Sequence, residues 1–109
     1  MVLAVARKDA HDAWGLPGGK VEAGETELVA ARRALCEETG IWVPYHFFKE
    51  VFRHEDRVTF QVQMNRINWD DVDKLPPGEK LVRWVTPYQL VQGPFGDYNL
   101  RLLMKIGRL

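Results

Sequence analysis

The sequence holds a single cysteine, Cys36, which excludes an intrachain disulfide and fits a reducing, cytoplasmic compartment. It carries no excess charge of either sign, with fifteen Lys and Arg against fifteen Asp and Glu. That balance argues against a protein that coats a polyanion, whose affinity rests on a net basic surface. No basic cluster marks a nucleic-acid partner either, although a local anion site is still compatible. No apolar run approaches the roughly 20 residues that cross a bilayer. The apolar stretch at residues 2–6 is too short for a signal peptide, and charges follow it at once. Repeats and low-complexity tracts are absent. What is present is an ordinary folded composition, 46% hydrophobic and 28% charged. At 109 residues it suffices for one domain with one core, expected over residues 1–109.

Residues 2–6 are apolar and partly β-branched, as in a buried strand. A glycine–proline loop, Trp14-Gly15-Leu16-Pro17-Gly18-Gly19, follows a polar turn. Thr26 stands where a helix N-cap belongs, and Glu25 and Glu27 put negative charge at the positive end of that helix. Residues 27–39 are helix formers without proline, and Gly40 supplies the expected stop. Residues 41–52, interrupted by Pro44, suggest one or two strands, residues 53–57 a polar turn, and residues 58–64 an alternating, half-buried strand. The pair predicts an antiparallel hairpin. Residues 68–80 form an acidic loop containing Pro76-Pro77-Gly78, and residues 81–85 another strand. Thr86-Pro87 opens a short helix to about residue 91. Asp97 is expected to cap a last helix reaching about Ile106, with Leu100, Leu103 and Met104 on its inner face. The order predicts a layered α+β domain.

Chemistry concentrates in residues 18–41. A glycine loop enters a helix whose last turns carry Arg33, Glu37 and Glu38, and helical neighbours lie three and four residues apart. Arg33 and Glu37 therefore share a face. Two adjacent carboxylates near a glycine-loop carbonyl suit a hard divalent ion, since magnesium takes oxygen ligands and commonly uses one or two carboxylates plus substrate phosphates. Acidic pairs on helices are common as solvated surface, so the carboxylates alone do not select this reading; the full spacing does.

That spacing resembles the Nudix hydrolase box. Gly19 opens the box, five residues separate it from Glu25, and seven more lead to Arg33. Leu35, Glu37, Glu38, Gly40 and Ile41 then fall on its remaining positions. The lead-in Leu16-Pro17-Gly18-Gly19-Lys20 and the run Arg83-Trp84-Val85-Thr86-Pro87 also look like the family's. A pattern this long, set in a loop–helix–loop context, is far more specific than a lone glycine motif.

The resemblance implies a Nudix-type α/β/α sandwich with a mixed sheet, and metal-dependent hydrolysis of nucleoside diphosphate-linked compounds. By resemblance Glu37 and Glu38 bind Mg2+ or Mn2+, with a carbonyl of Gly18 or Gly19 as a further oxygen. Arg33 and Glu25 form the internal pair that fixes the loop on the helix, and Gly19 and Gly40 are structural. Arg7 and Lys20 are candidates for phosphate oxygens, against a plain solubilising role. Glu79, after Pro76-Pro77-Gly78, is the best-placed additional catalytic carboxylate, against being one loop acid beside Asp70, Asp71 and Asp73.

Two departures matter. Ala34 occupies the place of the box's first helix glutamate, which removes a carboxylate one turn before Glu38 while suiting the helix. The family's opening strand is missing ahead of residues 2–6, and an exposed sheet edge invites pairing, so a homodimer is expected. His11, His46 and His54 lack metal-ligand spacing. Cys36 reads as a small packed side chain, and Trp14, Trp42, Trp69 and Trp84 as core, the default for a single tryptophan, or as rings that stack on a base. The favoured reading is a weakened pyrophosphohydrolase acting on a small nucleotide, with neither nucleic acid nor membrane as partner. The rival is a catalytically impaired Nudix-fold module that binds a nucleotide or a protein.

Overall fold

A computed structural model describes residues 1–7, 13–62 and 80–109. Its elements are β1 (Val2–Arg7), α1 (Glu27–Thr39), a 3-10 turn (Tyr45–Phe47), β2 (Phe48–His54), β3 (Arg57–Val62), β4 (Lys80–Val85), α2 (Pro87–Val91) and α3 (Gly96–Lys105). The class is α+β, as expected. The strands pair as two antiparallel ladders, β1 with β4 and β2 with β3, where the sequence suggested one mixed sheet; this holds among the described residues. The chain packs as two compact units, one of Met1–Pro17 with Gly78–Leu109 and one of Gly18–Pro77.

In the first unit Val2 lies opposite Val85 and Arg7 opposite Lys80. Gly15 bridges to Val5 through hydrogen bonds of 2.8 and 2.9 Å. Three consecutive β1 residues, Ala4, Val5 and Ala6, are buried, so both faces of this strand are covered. The small side chains of Ala4 and Ala6 join Trp14, Val85, Leu90 and Leu103 in one apolar cluster. Gly93 approaches the Trp14 carbonyl so closely that no side chain fits there. Thr86 closes a reciprocal capping box with Gln89, and Pro87 begins α2.

The last helix starts differently from expectation. Phe95 occupies the N-cap without a side-chain bond, and Asp97 lies inside the first turn. The buried residues are Asn99, Leu102 and Leu103, whereas Leu100 and Met104 are exposed. The reason is helical phase: Asn99, Leu102, Leu103 and Ile106 follow the three-and-four spacing of one stripe. The Asn99 carboxamide is polar and still buried, and its Nδ2 donates to the Leu90 carbonyl at 3.5 Å.

In the second unit the Thr26 hydroxyl accepts from the Val29 amide at 3.2 Å and starts α1 where the sequence placed it. Gly40 takes a left-handed conformation, φ 74°, and its N–H donates to the Cys36 carbonyl at 2.8 Å. The buried Thr39 hydroxyl donates to the Leu35 carbonyl at 2.6 Å and accepts from the Ile41 amide at 3.2 Å. Pro44 caps the 3-10 turn, so the strand expected from residue 41 begins only at Phe48. The expected hairpin forms. Its turn is tighter than residues 53–57, because β2 continues to His54 and Glu55 takes the positive φ of 56°. Arg53 forks onto Glu27 at 2.8 and 3.0 Å and reaches Glu50 at 2.8 Å, joining β2 to the first turn of α1.

Candidate active site

The site is a loop clamped onto a helix, both within the second unit. Gly24 turns with φ 83°, and the Glu25 amide donates to the Glu22 carbonyl at 3.0 Å. The Glu22 amide returns a bond to Glu25 Oε1 at 2.9 Å. This closed turn presents the Glu25 carboxylate to α1. Arg33 meets it bidentately, with Nε to Oε2 at 2.7 Å and Nη2 to Oε1 at 3.0 Å. Such fork-to-fork pairing fixes direction as well as distance. The same guanidinium donates to the Lys20 carbonyl at 3.0 Å and to Glu37 Oε2 at 3.2 Å, and lies 3.8 Å from Glu22. One planar cation thus gathers the loop, the helix and three carboxylates.

The electrostatics follow. The Arg33 hydrogen bond, then the Glu22 amide, holds the Glu25 carboxyl below its ordinary range. The carboxylates around Arg33 push its ionisation higher still, so it stays charged throughout. A second clamp lies toward the end of α1, where the Gly18 amide donates to Glu38 Oε2 at 2.7 Å. Glu37 and Glu38 are adjacent, but they engage different partners, Arg33 and Gly18.

The structure therefore brings together Gly18, Lys20, Glu25, Arg33, Glu37 and Glu38. Lys20 enters through its carbonyl, and its side chain is exposed. Gly19 is exposed, and a Cβ there would meet nothing within 4 Å. Arg7 closes β1 in the other unit, and Glu79 lies outside the described residues. Glu22 was missed from the sequence; its place three residues before Glu25, across the Gly24 turn, is the signal that could have found it. Ala34 is buried, 3% exposed, so the box's missing carboxylate is replaced by a covered methyl group.

Hard oxygen donors at the end of α1 fit a divalent cation. Among the described residues no three or more His, Cys, Asp or Glu side chains gather as a metal cage. The acidic side chains at that end are Glu37 and Glu38, and one or two carboxylates with several waters are enough for a hard divalent ion.

Comparison with known proteins identifies the family. The family model described as NUDIX domain matches residues 1–105. A MutT-like protein of Streptomyces ambofaciens is 29% identical over 102 residues, covering 94% of this chain and 66% of that protein. An RNA pyrophosphohydrolase of Zymomonas mobilis is 30% identical over 113 residues, covering 83% of this chain and 73% of the relative. An 8-oxo-(d)GTP phosphatase of Mycolicibacterium smegmatis is 53% identical over 38 residues, which is 35% of this chain and 12% of the relative. The chain thus spans between about an eighth and three quarters of the length of these relatives. No solved structure matches.

Proposed function

This chain belongs to the NUDIX family, and on that premise we propose that it is a divalent-metal-dependent pyrophosphohydrolase of nucleoside diphosphate-linked compounds. The observation that carries the proposal is the double clamp of loop on helix, Arg33 on Glu25 and Gly18 on Glu38, which fixes the glycine loop against the end of α1 that bears Glu37 and Glu38. Relatives that bear the names RNA pyrophosphohydrolase and 8-oxo-(d)GTP phosphatase support a phosphate-anhydride substrate carrying a nucleoside.

In the proposed reaction water adds to one phosphorus of the anhydride, the bridging P–O bond breaks, and the second phosphate leaves with that oxygen. Glu37 and Glu38 hold Mg2+ or Mn2+. When bound, the cation neutralises phosphate charge and activates water. Arg33, saturated by three carboxylates, does not bind substrate; it keeps the loop from drifting, and loss of such alignment lowers rates steeply. Gly19 leaves open space over which phosphate oxygens can approach backbone. Lys20 and Arg7 are assigned to phosphate oxygens, and Glu79 to the additional carboxylate that takes the water's proton.

Ala34 supports a second reading, a module that binds a nucleotide or protein without turnover. The buried methyl leaves no carboxylate one turn before Glu38. A pyrophosphatase screen of nucleotides and nucleotide derivatives with magnesium and manganese separates the two, using the native chain and Ala34→Glu. We expect slow hydrolysis from the native chain and a rise from Ala34→Glu within the roughly 100- to 10,000-fold span of general-base effects. A carboxylate at this covered position is costly when unpaired. The variant should therefore melt lower than the native chain without metal and regain stability when metal is added. No phosphate release from either protein across the panel would leave the binding module standing.

A further inference from the structure

α1 presents two consecutive arginines to two different partners. Arg33 is saturated by carboxylates, whereas Arg32 faces rings: its guanidinium carbon lies 3.8 Å from the centroid of Tyr45 and 5.0 Å from that of Trp42. The helical neighbours of Arg32 are Leu28, Val29, Leu35 and Cys36, so none can neutralise it. Among the described residues Arg32 pairs with no carboxylate. Trp42 is 60% exposed, against its default reading as core, and Tyr45 is 38% exposed. His46, next in the chain and also exposed, lies against Phe47 with ring centroids 4.3 Å apart.

A large ring left open to water beside an uncompensated guanidinium is matched by a ligand that is flat, π-bonded and anionic. Stacking on a tryptophan face tolerates any base. A guanidinium stacked on a ring keeps in-plane N–H donors for a phosphate. We propose that Arg32, Trp42 and Tyr45 form a nucleotide-binding platform, in which Trp42 stacks the base and Arg32 holds its phosphate. The occupant is one nucleotide rather than a strand, because among the described residues Arg32 is the one cation over these rings and the chain's net charge is zero. Arg32 falls on an unspecified position of the box and the platform uses none of its specified residues, so it stands whether or not the box is catalytic.

The test is a titration of adenosine monophosphate into the ¹⁵N-labelled chain in EDTA, which removes divalent metal from the carboxylates. The Trp42 indole N–H, assigned by Trp42→Phe, should move, with the other tryptophan indoles as internal controls. Trp42→Ala should weaken binding roughly 5- to 150-fold, the span of one lost base stack, followed for that variant through the Arg32 side-chain signal. Arg32→Gln should weaken adenosine monophosphate binding but leave adenosine binding unchanged, and a Glu37→Gln/Glu38→Gln variant should bind as the native chain does. Retained spectral dispersion in each variant shows that the fold survives. An unmoved Trp42 indole, equal affinity in Arg32→Gln, or loss of binding in the Glu37→Gln/Glu38→Gln variant would each overturn the platform. So would an oligonucleotide that binds more tightly than its number of bases explains, since that marks a strand site.

Discussion

The amide of Gly18 donates to Oε2 of Glu38 at 2.7 Å across twenty positions of sequence, tying the mouth of the glycine loop to the end of α1. One carboxylate oxygen of Glu38 thus serves the loop. The bond also explains why this loop can be glycine-rich and still be held in place.

Glu38→Gln keeps an amide oxygen that can accept the Gly18 N–H but removes the negative charge. The variant should fold and melt close to the native chain. Its affinity for Mg2+ or Mn2+ should fall by more than the roughly 10- to 100-fold typical of losing a merely supporting partner of a metal ligand. Manganese titration followed by electron paramagnetic resonance measures this, and equal affinity in the two proteins rules the site out.

Acid should weaken the loop clamp. The Glu25 carboxyl is held below its ordinary value by Arg33, and Glu27 below its own by Arg53. A carboxyl with a depressed folded-state pKa contributes stability above its unfolded value of about 4.3, and that contribution is lost as pH falls through the folded value. The native melting temperature should therefore be flat near neutrality and drop on acidification below about pH 4.3. Glu25→Gln should start lower and fall less over the same interval. Parallel curves for the two proteins would show that the pair carries no pH-dependent stability.

Gly40→Ala places a Cβ on a residue with φ 74° at the end of α1. The left-handed region costs a non-glycine residue roughly 1–2 kcal/mol, and chemical denaturation should show a loss of that size. A larger fall in metal affinity than in stability would show that the cap also positions Glu37 and Glu38.

Two other glycines should respond in opposite ways. Gly93→Ala drives a methyl into the Trp14 carbonyl and its carbon, which are backbone atoms that cannot rotate away. Expression should yield little folded protein, and what folds should melt far below the native chain. Gly19→Ala meets no atom within 4 Å, so its melting temperature should be unchanged while pyrophosphatase activity drops. A stability loss at Gly19 equal to that at Gly93 would contradict the open space over the loop.

Local chemistry was legible in the sequence. Thr26 and Gly40 delimit α1 because cap bonds involve residues only a few positions apart, and Thr86, Pro87 and Gln89 do the same for α2. Period-two alternation revealed the hairpin, and box spacing picked out Gly19, Glu25, Arg33, Glu37 and Glu38. Boundaries slipped where packing competed with propensity. Pro44 delayed β2 to Phe48, and the stripe of α3 rotated onto Asn99 and Leu102 because a satisfied carboxamide can be buried where polarity suggested exposure.

By itself, then, the sequence determined the family's box spacing and which short segments are helix, turn or hairpin, since those follow from bonds and periodicities spanning a few residues. Only tertiary structure decided that Arg33 binds Glu22, Glu25, Glu37 and the Lys20 carbonyl at once, that Gly18 reaches Glu38, that Ala34 is covered, and that Trp42 stands open beside Arg32. Each of these depends on which surfaces meet after the chain has closed loops of many residues. A side chain's type states what it can bond to, whereas its neighbours and its exposure are properties of the packed fold.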